Sequence, residues 1–163
     1  MPIEETPGAD DANSYISLED ADTYFLNTPH AGEWNDVHDP EAALLHATVL
    51  LDTLDWIGQR ATDEQALEWP RINDDDDLYE VDFDADEIPA KLKKAQCELA
   101  LWLSQEAATS EAAAGAVSEM QIGSSVKVKY SSSGGSWSVD SNTGLPVDAL
   151  RYLKGLRIVN VLA

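Results

Sequence analysis

From Ala42 to Leu54 the chain is almost continuously apolar. Ala42, Ala43, Leu44, Leu45, Ala47, Val49, Leu50, Leu51 and Leu54 cover most of a helical circumference, while Glu41, Thr48, Asp52 and Asp55 fall on one narrow polar stripe. Asp39 stands at the N-cap position and Pro40 at the first helical position, where a missing N–H costs nothing. A surface helix carries a wider polar face, so the pattern predicts a central rod over 40–56, with Gly58 closing it as a C-cap. Ser17-Leu-Glu-Asp20 starts a helix near 18–27, and residues 29–38 read as a loop. Thr62-Asp-Glu-Gln65 is a second capping box, predicting a short helix over 62–68 that stops at Trp69-Pro70. Pro89 opens a second long helix over 89–106, with Leu92, Ala95, Leu99, Trp102 and Leu103 at helical spacing, and Leu145-Pro146 leads into a last helix over 146–154.

Past residue 116 the period changes from helical to alternating. Val117 to Ile122 and Val126 to Tyr130 predict a β-hairpin near 117–130, with Val126, Val128 and Tyr130 on one face and Lys127 and Lys129 on the other. A loop over 131–144 follows, flexible at its SSSGGS tip. Residues 1–12 read as a flexible acidic arm and 156–163 as an extended apolar tail. The fold class is therefore mainly α: a small helical bundle around a central apolar helix, with a β-hairpin insertion and an extended C-terminal tail. The bundle occupies residues 13–155 of 163, the length of one domain. No apolar run approaches the ~20 residues of a membrane span, and the N-terminus shows neither basic nor apolar signal-peptide regions. Cys97, the one cysteine, sits among Ala95, Leu99 and Ala100 and is expected to be a small buried thiol in a reducing compartment.

Charge divides the chain. Residues 1–90 hold 25 acids against Arg60 and Arg71, a net −23, whereas residues 91–163 carry +2, giving −21 overall. Aspartate (18) outnumbers glutamate (13) and lysines number 6, a balance suited to concentrated salt, where screening removes self-repulsion. The acids are densest at Asp74, Asp75, Asp76, Asp77, Asp82, Asp84, Asp86 and Glu87. A calcium loop starting at Asp82 would require glycine at its sixth position and an acid at its twelfth, but Glu87 and Lys93 stand there. The stretch is read instead as a surface facing solvent or repelling DNA, with no metal site. His30, His38 and His46 show no ligand pattern, Gly134-Gly135-Ser136 is followed by no lysine, and no nucleophile elbow occurs. No enzyme, catalytic residue or cofactor is expected.

Single-strand binding needs a positive groove and aromatic platforms. Tyr130 and Trp137 flank the serine-rich loop near Lys127 and Lys129, but two lysines neutralise two phosphates at most, against 25 acids in the first ninety residues. A hairpin of Val126, Lys127, Val128, Lys129, Tyr130 and Trp137 packing on a neighbouring subunit is the favoured reading of the segment.

Four segments in order resemble a known family. Gly58-Gln-Arg60 with Gln65-Ala-Leu67-Glu-Trp69-Pro70-Arg71 looks like the G-x-R…Q-x-L-x-W-P-R stretch of small head–tail adaptor proteins of tailed viruses. Asn13-Ser-Tyr15-Ile-Ser17 with Ala21-Asp22 and Tyr24 resembles its opening. Ile88-Pro89-Ala90 with Ala95 through Ala100 resembles its second long helix, and Leu145-Pro-Val-Asp148-Ala-Leu150 its closing helix. Relatives of that family are sometimes labelled DnaT-like single-stranded DNA-binding proteins.

The resemblance implies a virion protein of the head–tail junction, or neck, assembled in the host cytoplasm. It would form a homo-oligomeric ring, usually a dodecamer, between the portal protein and a tail-side connector or stopper protein. Double-stranded DNA would pass its acidic channel without tight binding during ejection. The resemblance also implies portal docking by the C-terminal region, here Arg151, Lys154, Leu156, Arg157, Ile158, Val159, Val161 and Leu162; the competing reading of this tail is that it folds back on its own domain. The runner-up function is a single-stranded DNA-binding accessory protein, and a third reading is a salt-adapted helical protein of unrelated role.

The charge balance generates the first prediction. Thermal unfolding followed by circular dichroism should show a melting temperature that climbs from dilute buffer to multimolar KCl. A flat profile would exclude adaptation to a salt-rich host.

Overall fold

The computed structural model describes residues 2–73, 83–114 and 137–158, with side chains described up to residue 106 in the middle stretch. Its elements are α1 (Leu18–Leu26), α2 (Ala31–Asn35), α3 (Pro40–Leu51), β1 (Gln59–Arg60), β2 (Arg71–Ile72), α4 (Ala90–Ala114) and α5 (Val147–Tyr152). The architecture is mostly helical, with one two-stranded antiparallel hairpin that pairs Gln59 with Ile72 and Arg60 with Arg71. α4 is the spine: α3 packs along one side of it and α5 along another. Leu44, Ala47 and Leu51 of α3, Leu92, Ala95, Leu99 and Leu101 of α4, and Leu153 after α5 are fully buried, joined by Tyr15, Phe25 and Trp69.

Both predicted caps of the first helices form. The Ser17 hydroxyl accepts the Asp20 N–H at 3.1 Å, and the Asp39 carboxylate accepts that of Ala42 at 3.0 Å. The loop expected at 29–38 contains the short helix α2, whose Trp34 stacks on Phe25 with ring centroids 4.4 Å apart.

α3 departs from its sequence pattern in length and orientation. It ends at Leu51, five residues before the expected boundary, because Asp52 becomes its C-cap and residues 53 and 54 turn back on Leu50 and Leu51. Gly58 is not the cap; it sits with φ +74° before β1, where the Ile72 carbonyl leaves no room for a side chain. The narrow polar stripe, moreover, is not a solvent-facing strip: Glu41 and Asp55 are exposed, but Asp52 is half-buried and Thr48 turns inward. Thr48 is 1% exposed, whereas Val49 on the apolar side is 63% exposed.

The burial of Thr48 follows from a polar junction. The Gln96 side chain on α4, fully buried, donates through Nε2 to Ser14 Oγ (2.7 Å), Thr48 Oγ1 (2.9 Å) and the Leu44 carbonyl (3.0 Å). Its Oε1 accepts the Tyr15 backbone N–H at 3.1 Å. Thr48 returns its own hydroxyl proton to the Leu44 carbonyl at 3.1 Å. One carboxamide thus joins three segments, and the buried Thr48 is satisfied by accepting from Gln96 and donating to the Leu44 carbonyl.

The second capping box forms without the helix it predicts. The Thr62 N–H bonds Gln65 Oε1 (3.0 Å) and the Gln65 N–H bonds Thr62 Oγ1 (3.3 Å), yet no helix covers 62–68. The Gln65 carbonyl, which a helix would offer to residue 69, accepts the Arg60 guanidinium instead, and Gln65 Nε2 caps the Leu67 and Pro70 carbonyls. Residues 2–12, expected as a mobile arm, are tied to the domain: the Glu4 N–H bonds Asn13 Oδ1 (2.8 Å), Asn13 Nδ2 bonds the Pro2 carbonyl (3.0 Å), and the Ala66 N–H bonds the Ala9 carbonyl (3.0 Å). Residues 138–147 form a tight turn, with Val139 bridged to Pro146 and Asp140 accepting from Thr143, where a loose loop was expected. The hairpin expected near 117–130 lies outside the described residues.

Gln96→Ala should lower the unfolding free energy by about 2–4 kcal/mol, since it strands Thr48, Ser14 and the Tyr15 N–H and opens a cavity. Urea denaturation should report this as a lower midpoint at unchanged slope.

Candidate functional site

One of the four segments that carry the family resemblance forms the loop 56–72, where its residues act as internal braces. Arg71 is 7% exposed; its Nε donates to the Ile57 carbonyl (2.9 Å), Nη2 to the Gly58 carbonyl and Nη1 to Glu68 Oε2 (2.7 Å). Arg60 holds the Gln65 carbonyl, as described. Trp69, 1% exposed, meets Trp56 and Phe83 edge-on at 5.6 and 4.9 Å. Trp69-Pro70 is a cis peptide. The loop therefore uses both arginines of the acidic half to satisfy its own carbonyls.

A second brace joins this loop to the bundle. The Tyr15 hydroxyl donates to the Asp52 carboxylate at the end of α3, and the backbone N–H groups of Trp69 and Glu68 approach Tyr15 and Asp52 in turn. Burial pushes the Asp52 carboxyl up to about 6, although the Tyr15 hydroxyl and the Glu68 N–H favour its charged form. Burial first, and then Asp52, raises the Tyr15 hydroxyl well above its ordinary value.

The free cations gather elsewhere. Lys91, Lys93 and Lys94 stand at the start of α4, and Lys93 and Lys94 flank a groove of about 450 Å³ between α1 and α4, lined also by Ile16, Asp20, Tyr24 and Ala90. The Tyr24 hydroxyl is turned away from it, donating to Glu98 at 2.6 Å. Each described aromatic ring is buried or half-buried. Trp137 is half-buried: its indole N–H donates to Gln105 at 2.7 Å and its ring lies 6.2 Å from that of His30.

The other predicted positions are scattered. Asp84, Asp86 and Glu87 are exposed, with the Asp86 N–H on Asp84 Oδ1 at 3.1 Å; Asp74, Asp75, Asp76, Asp77 and Asp82 lie outside the described residues, as do Val126, Lys127, Val128, Lys129 and Tyr130. Arg151 pairs with Asp148 at 2.8 Å and Lys154 is exposed. Leu156, expected at a docking surface, is 4% exposed in the domain's own core. Its carbonyl accepts the Ile57 N–H (3.0 Å), Arg157 bridges Trp56, and the Ile158 N–H bonds the Asp55 carbonyl (2.8 Å). As far as residue 158 the tail folds back on its own domain; Val159, Val161 and Leu162 lie outside the described residues. Among the described residues no cluster of His, Cys, Asp and Glu suits a metal ion, and no helix is long and apolar enough to cross a membrane. Cys97 is fully buried, which raises its thiol.

Sequence reasoning passed over Lys91, Lys93 and Lys94 as a group, although three cations in four residues of so acidic a chain were a visible signal. It had no means of pairing Tyr15 with Asp52, 37 positions apart.

What these features define is a braced helical scaffold. The chain matches the family described as "Putative DnaT-like ssDNA binding protein" over residues 1–155 and belongs to that family. No curated protein and no solved structure matches it.

Asp52 generates a pH prediction. A carboxyl whose folded value rises from 3.8 to about 6 opposes folding while charged, so stability is gained as pH falls through 6 towards 4. Asp52→Asn should be the more stable form at pH 7.5, by on the order of 1–3 kcal/mol. That advantage should shrink towards pH 4, and comparing the two proteins cancels the titration of the other carboxylates.

Proposed function

We propose that this protein is a structural adaptor of a tailed virus, a ring component between the portal and the tail-side connector at the head–tail junction. The observation that carries this reading is the direction in which Arg60 and Arg71 point. Both cations of the acidic half are spent on loop carbonyls and Glu68, leaving an acid-rich surface that includes the exposed Asp63, Glu64, Asp84, Asp86 and Glu87. Such a face repels phosphates, as a channel that must release a passing duplex requires, and opposes retention of a strand. The ordered match of the adaptor-like segments supports the same reading, because Gln65, Trp69 and Arg71 are buried braces of a scaffold. The composition adds a host with a salt-rich cytoplasm.

The second reading, a single-stranded DNA-binding accessory protein, is favoured by the family's description. Mass photometry in high salt separates the two. Mixed with the portal protein of the same genome, an adaptor passes from a small species to a portal-plus-ring particle. No gain in mass, together with salt-dependent binding of a single-stranded oligonucleotide, would replace it with the second reading.

A further inference from the structure

Lys91, Lys93 and Lys94 are placed against local electrostatics. They occupy the first turns of a 25-residue helix, at its positive end, with Lys91 and Lys94 one turn apart and like-charged. No ion pair within the described residues compensates them: those pairs join His30 to Glu33, Arg71 to Glu68 and Arg151 to Asp148. The one carboxylate lining the groove with Lys93 and Lys94 is Asp20, which is exposed. Beneath these lysines the groove offers Ile16, Ala90 and the ring of Tyr24. It combines an apolar floor with a positive rim, on a chain whose net charge is −21.

We propose that this groove is an interface for a second copy of the chain, receiving an acid-bearing surface of the neighbour's residues 1–90. Charge selects the occupant. The −23 half is the complement the lysines lack among the described residues of their own subunit, and its two arginines are engaged within its own loop and do not neutralise it. Two copies approaching by equivalent acidic faces repel, whereas lysine rim against acidic face attracts and fixes which surfaces meet. The contact is heterologous, so repeating it runs head to tail and closes into a ring where the rotation permits. It rests on the adaptor reading only for what that ring is used for.

The test uses the full chain alone, so a failure to bind portal leaves it untouched. Isotopically heavy and light copies are mixed at high protein concentration, treated with a carbodiimide that joins lysine directly to carboxylate, and digested for mass spectrometry. Heavy–light links from Lys93 or Lys94 to an acid within residues 1–90 are expected. The double variant Lys93→Glu, Lys94→Glu, its fold checked by circular dichroism, should reduce all heavy–light links by about tenfold. Links confined to single-isotope chains would overturn the proposal. So would shielding of these lysines by a single-stranded oligonucleotide whose binding the double variant abolishes, which would reassign the groove to nucleic acid.

Discussion

The carboxamide of Gln96 is the point on which the arrangement of the bundle turns. Its nitrogen has two protons for three acceptors, on Ser14, Thr48 and the Leu44 carbonyl, and its oxygen takes the Tyr15 N–H. A buried amide left unpaired costs about 1–3 kcal/mol, so each alternative register of α3 against α4 carries that penalty. Apolar packing alone specifies little for a helix as uniformly hydrophobic as α3. The polar junction selects which face of α3 turns inward, and once Thr48 is inside, Val49 must lie outside.

The same logic governs the loop over 56–72. Short and almost without regular structure, it exposes many carbonyls to a packed environment. Arg71, Arg60 and Gln65 answer them one by one, and Tyr15 with Asp52 fastens the result to the bundle. Side chains here do what a helix or sheet ladder does elsewhere. That is why Gln65 and Arg71 are buried and why a sequence motif with no catalytic chemistry can still be specific.

How much of this was legible in the chain depended on range. Caps at Ser17 and Asp39 are local signals and formed as read. The helical periodicity of α4 was equally plain, and the start of α5 at Val147 follows from Pro146. Long-range pairings were not legible. The polar stripe of α3 reads as solvent-facing until Gln96, 48 positions on from Thr48, is known to meet it. The capping box at Thr62 was correctly recognised, but its helix depends on carbonyls that Arg60 and Gln65 claim. Leu156 read as part of a free tail because nothing local reveals that Trp56 and Ile57 form its seat. On the surface, the density of acids drew notice away from the three lysines of α4.

The inward arginines have one consequence beyond the loop they brace. With both its arginines engaged in that loop, the acid-rich half has its charge balanced by mobile cations condensed from the solvent. Any cationic surface that displaces those ions returns them to bulk, and the entropy of that release drives the association. For this half of the molecule, the dissolved salt is in effect a binding partner already in place, and later partners compete with it.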